Sequence, residues 1–248
     1  MSDPRANSRL VVGLQPVREV VRVHGPRCLE VLIEASGSPR LDAVHRFATD
    51  QGCAVVRRVS RSELDRLSQG AVHQGLAAFA PPLRFTDIAE LIVSADLVLA
   101  LDSIQDPQNF GAAIRSAVGV AGAAVLWAEH DSAPLSLATF RASAGAIEHA
   151  RLCRVRSLRS ALADARAAGF SVVGLDSNGT HSIRDSRLLG PTILVLGSEH
   201  EGLARGVRKE CTELVKLPMA KGVASLNASV AAALALYEAA SQRAISNT

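Results

Sequence analysis

Three short stretches concentrate the residue types that grip ligands, and each follows directly on an apolar run. The first runs from Asp102 to Gly111 after Leu97–Leu101 and reads Asp-Ser-Ile-Gln-Asp-Pro-Gln-Asn-Phe-Gly, with Arg115 four residues beyond it. Asp106 followed by Pro107 is a sound helix start, a capping carboxylate with proline at the first helical position. Phe110, Ala113, Ile114 and Ala117 form the apolar stripe of that helix, and Arg115 projects ~140° away from Phe110 at 100° per residue. Arg115 therefore does not face the core. A lone helical arginine is most often simply solvated, but beside Asn109 and a glycine at a strand's end its guanidinium suits a phosphate or a ribose.

The second stretch is Gly197-Ser198-Glu199-His200-Glu201-Gly202-Leu203, after the run ending at Leu196. Gly197 is expected to let a ligand approach the backbone closely. Glu199, flanked by glycines, suits a hydrogen bond to a ligand or to its own loop, whereas Glu201 reads as a solvated carboxylate and His200 is assigned no role. The third stretch, Leu217-Pro218-Met219 through Ser225-Leu226-Asn227-Ala228-Ser229-Val230, leaves a strand and opens the final helix. Either Ser225 or Asn227 must cap that helix, which leaves the other free for a ligand. Its apolar face is expected to be Leu226, Val230, Ala233, Leu234 and Tyr237.

Strand-like runs at Leu97–Leu101, Ala123–Trp127, Ser171–Leu175, Thr192–Leu196 and Leu214–Leu217 must position these stretches. Near-continuous apolar strands separated by helical segments predict a parallel sheet covered on both faces, with ligands at the carboxyl ends of the strands. The first third alternates shorter elements: an amphipathic stretch Val17–Val23, an apolar run Cys28–Ile33, a helical pattern Leu41–Ala48, and strand-like Ala54–Val59 and Leu76–Ala80. This predicts a small α/β domain. Pro81-Pro82 ends it, which gives residues 1–82 as one domain, 83–95 as a linker and 96–248 as the second domain.

Across 248 residues, 48% apolar and 21% charged side chains describe a soluble globular chain. No apolar run approaches the ~20 residues of a membrane span, and polar Met1–Ser8 has no apolar stretch behind it, so the expected location is cytoplasmic. Cys28, Cys53, Cys153 and Cys211 are scattered without a C-x-x-C pair, and no metal site is expected. Residues 1–85 hold 12 arginines, no lysine and 8 acids, and the rest hold 15 basic and 16 acidic residues. The positive excess thus lies in the first third, where arginine suits phosphate contacts, although a GC-rich genome would produce the same bias. No G-x-G-x-x-G, P-loop or G-x-S-x-G is present, which disfavours Rossmann-type enzymes.

Taken together and in order, the three stretches resemble the three motifs of the SpoU (TrmH) family of RNA 2'-O-methyltransferases. Asp106-Pro107-x-Asn109-x-Gly111-x-x-x-Arg115 is similar to the first, Gly197-x-Glu199-x-x-Gly202-Leu203 to the second, and Leu217-Pro218-Met219 through Ser225-Leu226-Asn227-x-Ser229-Val230-Ala231 to the third. Ala228 stands where valine is common, and Lys221 precedes Gly222 where a second small residue is usual. Gly13–Val20 and His73-Gln74-Gly75 resemble the substrate-binding domain of bacterial enzymes that methylate a guanosine of large-subunit (23S) ribosomal RNA.

The resemblance implies an α/β fold: a parallel-sheet SPOUT domain with a deep trefoil knot, preceded by a small α/β RNA-binding domain like that of a ribosomal protein. It implies a homodimer using S-adenosyl-L-methionine (SAM), held by Gly197, Leu217 and Leu226 with Met219, Ser225 and Asn227 nearby. It makes Arg115 the principal catalytic residue, assisted by Asn109, Glu199, Ser225 and Asn227. Because a guanidinium is protonated at neutral pH, Arg115 is better suited to clamp an RNA phosphate and stabilise the forming alkoxide than to take a proton. The proton then falls to a phosphate oxygen, water or Glu199. Transfer RNA as substrate, or a non-catalytic RNA-binding role in ribosome assembly, are the alternative expectations.

Overall fold

The computed structural model describes residues 5, 7–220 and 225–246, the side chain of Ser246 excepted, and its chain divides into two compact units. The first comprises residues 1–84 together with 135–149, and the second 85–134 together with 150–248.

In the first unit β1 (Arg9–Val12), α1 (Leu14–His24), β2 (Glu30–Glu34), α2 (Pro39–Asp50), β3 (Val56–Val59), α3 (Arg61–Ser68) and β4 (Leu76–Ala80) follow in order. The sheet order is β1-β4-β2-β3, with β2 and β3 parallel and the other pairs antiparallel. Val12, Leu32, Leu64 and Phe79 form its core, and Ser60 caps α3 by accepting from the Glu63 amide.

The stretch expected as a linker, 83–95, is instead partly helical. Asp87 caps α4 (Ile88–Ser94), and Leu91 is buried in the core of the second unit, because its apolar side chain finds a packing partner there. From there run β5 (Leu97–Leu101), α5 (Pro107–Ala121) and β6 (Ala124–Ala128). Next comes α6 (Leu137–Ala142), which packs on β1 of the first unit, to which it belongs. The second unit resumes with β7 (Leu152–Val155), α7 (Leu158–Ala167), β8 (Ser171–Leu175), β9 (His181–Ser182), β10 (Thr192–Leu196), α8 (Arg205–Glu210), β11 (Glu213–Lys216) and α9 (Ala228–Ser246).

Stretch 135–149 is fastened within the first unit by a buried charge cluster. Arg9 Nη1 donates to Glu148 Oε1 at 2.8 Å, Arg9 Nη2 pairs with Glu148 Oε2, and His24 Nε2 lies 2.9 Å from that second oxygen. The Arg9 guanidinium also lies 5.2 Å from the centre of the Phe140 ring, and Leu137 packs against the core. Burial works to raise the Glu148 carboxyl, but the bonds from His24 and Arg9 outweigh it and hold the group below the ordinary carboxylate range.

The seven strands of the second unit are ordered β7-β6-β5-β10-β8-β11-β9, and every pair is parallel. Leu91, Leu158, Leu162 and Val207 from α4, α7 and α8 cover one face, while α5 and α9 lie on the other. The buried face of α9 is Ala228, Ala232, Ala235, Leu236 and Ala239, not the expected stripe. Small side chains let α9 lie close along α5, and the larger Val230, Leu234 and Tyr237 are left outside, exposed at 45%, 47% and 64%. Among the described residues no helix is long and apolar enough to cross a membrane.

Candidate active site

The carboxyl ends of β5, β8, β10 and β11 carry the loops that build the site, as the strand rule for parallel sheets requires. After β5, Asp102 is nearly buried and its Oδ2 accepts from the Ala204 amide at 2.7 Å, which joins this loop to the one after β10. Burial pushes the Asp102 carboxyl up, opposed by the Ala204 N–H and the Ser103 hydroxyl. Asp106 then caps α5 by accepting from the amides of Gln108 and Asn109, as expected. That cap fixes Asn109 in the first turn.

The loop after β10 folds tightly on itself. Ser198 N donates to Gly202 O at 3.1 Å, and Gly202 N donates back to Ser198 O at 3.0 Å, with Gly202 at φ 67°. A Cβ on Gly197 would stand 2.3 Å from the Gly202 carbonyl carbon and 2.5 Å from Leu203 N. Gly197 is therefore required by its own loop; the space expected for a ligand is filled at this point by the Gly202 backbone.

That turn presents Glu199 to the starts of two helices. Its Oε1 accepts from Asn109 Nδ2 at 2.8 Å, from Asn227 Nδ2 at 3.0 Å and from the Ala228 amide at 3.1 Å. Asn227 Nδ2 also donates to Asn109 Oδ1 at 2.8 Å, while Asn227 Oδ1 accepts from the Ser229 amide at 2.9 Å and the Ser229 hydroxyl at 2.6 Å. Asn227 is thus the α9 cap, and Ser225 is the one left to a ligand. The acidic group at the two helix starts is electrostatically well placed, since unpaired amides give such termini positive character.

Two clefts share this loop as a wall. One, of ≈ 380 Å³, is bounded by Leu175, Gly197, Leu217, Met219, Ser225 and Leu226, among others. The second, of ≈ 390 Å³, is bounded by Gln105, Asp106, Asn109, Glu199 and neighbours. Both volumes suit small-molecule sites, and the first combines leucine walls with exposed loop polar groups, a surface fitted to a flat heterocycle with a polar tail. The expected cofactor residues Gly197, Leu217, Met219, Ser225 and Leu226 all meet there, whereas Asn227 lines neither cleft and is bonded instead to Asn109 and Glu199. Lys221 and Gly222, with Val223 and Ala224, lie outside the described residues.

Arg115 is not brought to this cluster. It is exposed on α5, lines neither cleft, and makes no ion pair among the described residues. The loop after β8, Asp176-Ser177-Asn178, lines the first cleft and was not singled out from sequence. Asp176 pairs with Arg208, and its Oδ1 accepts from the Asn178 amide at 2.7 Å. The signal was available: a polar turn directly after a strand that the periodicity already located.

A one-sided stack of loops at the carboxyl edge of a parallel α/β sheet, with adjacent clefts and a carboxylate–amide clasp between them, defines a small-molecule-binding enzyme of the α/β class. Residues 96–237 match the family described as the SpoU rRNA methylase family, and residues 10–86 match the RNA 2'-O ribose methyltransferase substrate-binding domain. The chain belongs to the SpoU family of RNA methyltransferases. A protein of Mycolicibacterium smegmatis described as an uncharacterized tRNA/rRNA methyltransferase is 37% identical over 243 residues, 95% of this chain and 77% of its own. The crystal structure of the SpoU methyltransferase AviRb from Streptomyces viridochromogenes, in complex with AdoMet, superposes with a TM-score of 0.76 at 26% identity, covering 97% of this chain and 92% of that one. An RNA 2'-O ribose methyltransferase superposes with a TM-score of 0.78 at 25% identity, covering 96% and 90%.

Proposed function

We propose that this chain transfers a methyl group from SAM to a ribose 2'-hydroxyl of RNA, its target a guanosine of 23S ribosomal RNA. The carrying observation is the pair of adjacent clefts that share Glu199 as a wall, with Glu199 held by Asn109 and Asn227. The AdoMet complex of AviRb supports SAM as the cofactor, and the meeting of Gly197, Leu217, Met219, Ser225 and Leu226 in the first cleft favours that cleft for it. The match of the first unit to a substrate-binding domain supports a large folded RNA as partner, and a ribosomal target accords with a cytoplasmic location.

When bound, SAM supplies an electrophilic methyl group on a sulfonium, so the protein's task is to align and activate the hydroxyl. Asn109 and Asn227, bonded to each other and to Glu199, brace the wall that the clefts share, and Ser225 lines the first cleft. Glu199 acts as a positioning residue: the two helix starts already occupy its Oε1 with three donors. Arg115, exposed on α5 and outside both clefts, clamps an RNA phosphate that flanks the reacting ribose. The proton passes to a phosphate oxygen or water.

The reading includes a homodimer, formed through the exposed stripe Val230, Leu234 and Tyr237 on α9, which recurs on one side of the helix. It also includes a trefoil knot in the C-terminal chain. In support, β11 lies between β8 and β9 although it follows both, and a Cβ on Gly179 would stand 2.4 Å from the Val215 carbonyl carbon.

The experiment is transfer of tritiated methyl from SAM to unmodified 23S rRNA and to tRNA, with hydrolysis to locate the label. Label on a guanosine ribose of 23S rRNA is the expected result. Label confined to tRNA overturns the substrate, and SAM binding without transfer to any RNA overturns the enzymatic reading.

A further inference from the structure

Two cysteines of the first unit have no part in methyl transfer. β2 and β3 are parallel with Val31 opposite Val56, and Cys28 and Cys53 each stand three residues ahead of that pair, in the turns that lead into the two strands. Adjacent strands lie ~4.8 Å apart, inside the ~4.4–6.8 Å between α-carbons that a disulfide spans. The turns bearing the two residues are pressed together: a Cβ on Gly25 would stand 2.9 Å from the Gln51 carbonyl oxygen, and one on Gly52 would stand 3.4 Å from Pro26 Cγ. The two side chains are near enough that each thiol moves the other's ionisation, Cys28 up and Cys53 down. Cys28 is fully buried, with its thiol directed to the carbonyls of Glu30 and Phe79, while Cys53 is partly exposed.

We infer that Cys28 and Cys53 are a dithiol modification site that closes to a disulfide under peroxide. The Cys53 sulfur, the accessible one, attacks a peroxide oxygen. The O–O bond breaks, hydroxide leaves and Cys53 becomes a sulfenic acid. Cys28 then attacks the Cys53 sulfur, the S–OH bond breaks, and the departing hydroxide takes the Cys28 proton as water. Two sulfurs are oxidised by one electron each, and the peroxide is the two-electron acceptor. Cys28 beside it holds the Cys53 thiol below the ordinary thiol range, whereas the neighbouring Cys53 and burial push Cys28 up, and exposure and burial order the two steps the same way. Cys153 and Cys211, both pushed up by burial to about 11, stay as thiols. The closed bridge ties the start of β2 to the approach to β3 and restrains the segment holding β2 and α2 in the unfolded chain.

The test exposes the reduced full chain to hydrogen peroxide, alkylates it under denaturing conditions and reads intact mass and a non-reducing peptide map. We expect two alkyl groups in place of four, a chain mass about 2 Da lower once those groups are subtracted, one peptide pair joining residues 28 and 53, and a melting temperature that rises and is restored by dithiothreitol. Cys53→Ser, at a partly exposed position, should keep its remaining thiols alkylatable and show no shift. The inference is overturned if Cys53 gains sulfinic oxygens while Cys28 stays alkylatable, if the link runs through Cys153 or Cys211, or if nothing is oxidised. Failure of RNA methylation would leave these readouts untouched.

Discussion

Asn109 donates from Nδ2 to Oε1 of Glu199 over 2.8 Å across 90 residues of sequence, and this bond joins the first turn of α5 to the loop after β10. The same oxygen serves the first turn of α9 through Ala228. A clasp of this kind makes Glu199 a structural hub of the site, with consequences for its substitution.

Glu199→Gln places an amide where three donors converge or, turned over, keeps one oxygen there without the charge. Single-turnover methyl transfer should fall while the shape of its pH profile stays that of the wild type. A profile that loses an ionisation in Glu199→Gln would instead make the carboxylate the proton acceptor. Glu199→Ala should also lower stability by about 1–3 kcal/mol, read by urea denaturation.

Arg115→Ala should lower methyl transfer at least about 10²-fold, the scale of a lost charge-stabilising donor. SAM affinity, measured by calorimetry, should be unchanged because Arg115 lines neither cleft. A parallel loss of SAM binding contradicts the assigned role.

Gly197→Ala forces a methyl group against the Gly202 carbonyl and Leu203 amide. Neither backbone group can yield without opening the loop, so stability should drop by about 1–3 kcal/mol and SAM affinity with it. Wild-type affinity in this variant would show that the loop does not shape the cofactor cleft.

Glu148 sets a pH dependence. Its folded pKa lies below the unfolded value, so its contribution is complete above the unfolded carboxylate value of ~4.3 and is lost as pH falls through the folded one. Glu148→Gln leaves Arg9 and His24 without their buried carboxylate and should cost about 3 kcal/mol or more at neutral pH. The gap from wild type should shrink on acidification below about pH 4, measured by denaturant midpoints; a constant gap would mean that the charge is not what stabilises the cluster.

Leu234→Asp and Tyr237→Asp place charge on the exposed α9 stripe. If that stripe is the dimer contact, light scattering should report monomers with unchanged helical content. Persistent dimers would move the contact elsewhere.

Much of this was legible from residue order alone. The runs 97–101, 171–175 and 192–196 coincide with β5, β8 and β10 because fully buried parallel strands are continuously apolar. The short edge strand β9 has only two residues and no such run, and β7 alternates buried Leu152 and Cys153 with polar Arg154. The clustering of Asn109, Glu199 and Asn227 was signalled by strand ends, but their mutual bonds depend on tertiary distances that no local pattern carries. The α9 face was misread for a physical reason: periodicity marked the bulky residues, whereas close packing on α5 selected the alanines. Gly197 was read as opening the backbone to a ligand, whereas the space a Cβ would fill is taken by the Gly202 and Leu203 backbone of its own loop.

Stretch 135–149 has a wider implication for how such proteins can be recombined. It lies inside the span matched by the methylase family model, yet its α6 and Glu148 complete the first unit. The RNA-binding module is therefore discontinuous in the gene. A chimera that moves residues 1–84 of this chain onto another protein carries Arg9 and His24 without Glu148, unless 135–149 travels with them. Modularity here follows contacts and not chain order, so this unit is transplanted as two pieces or not at all.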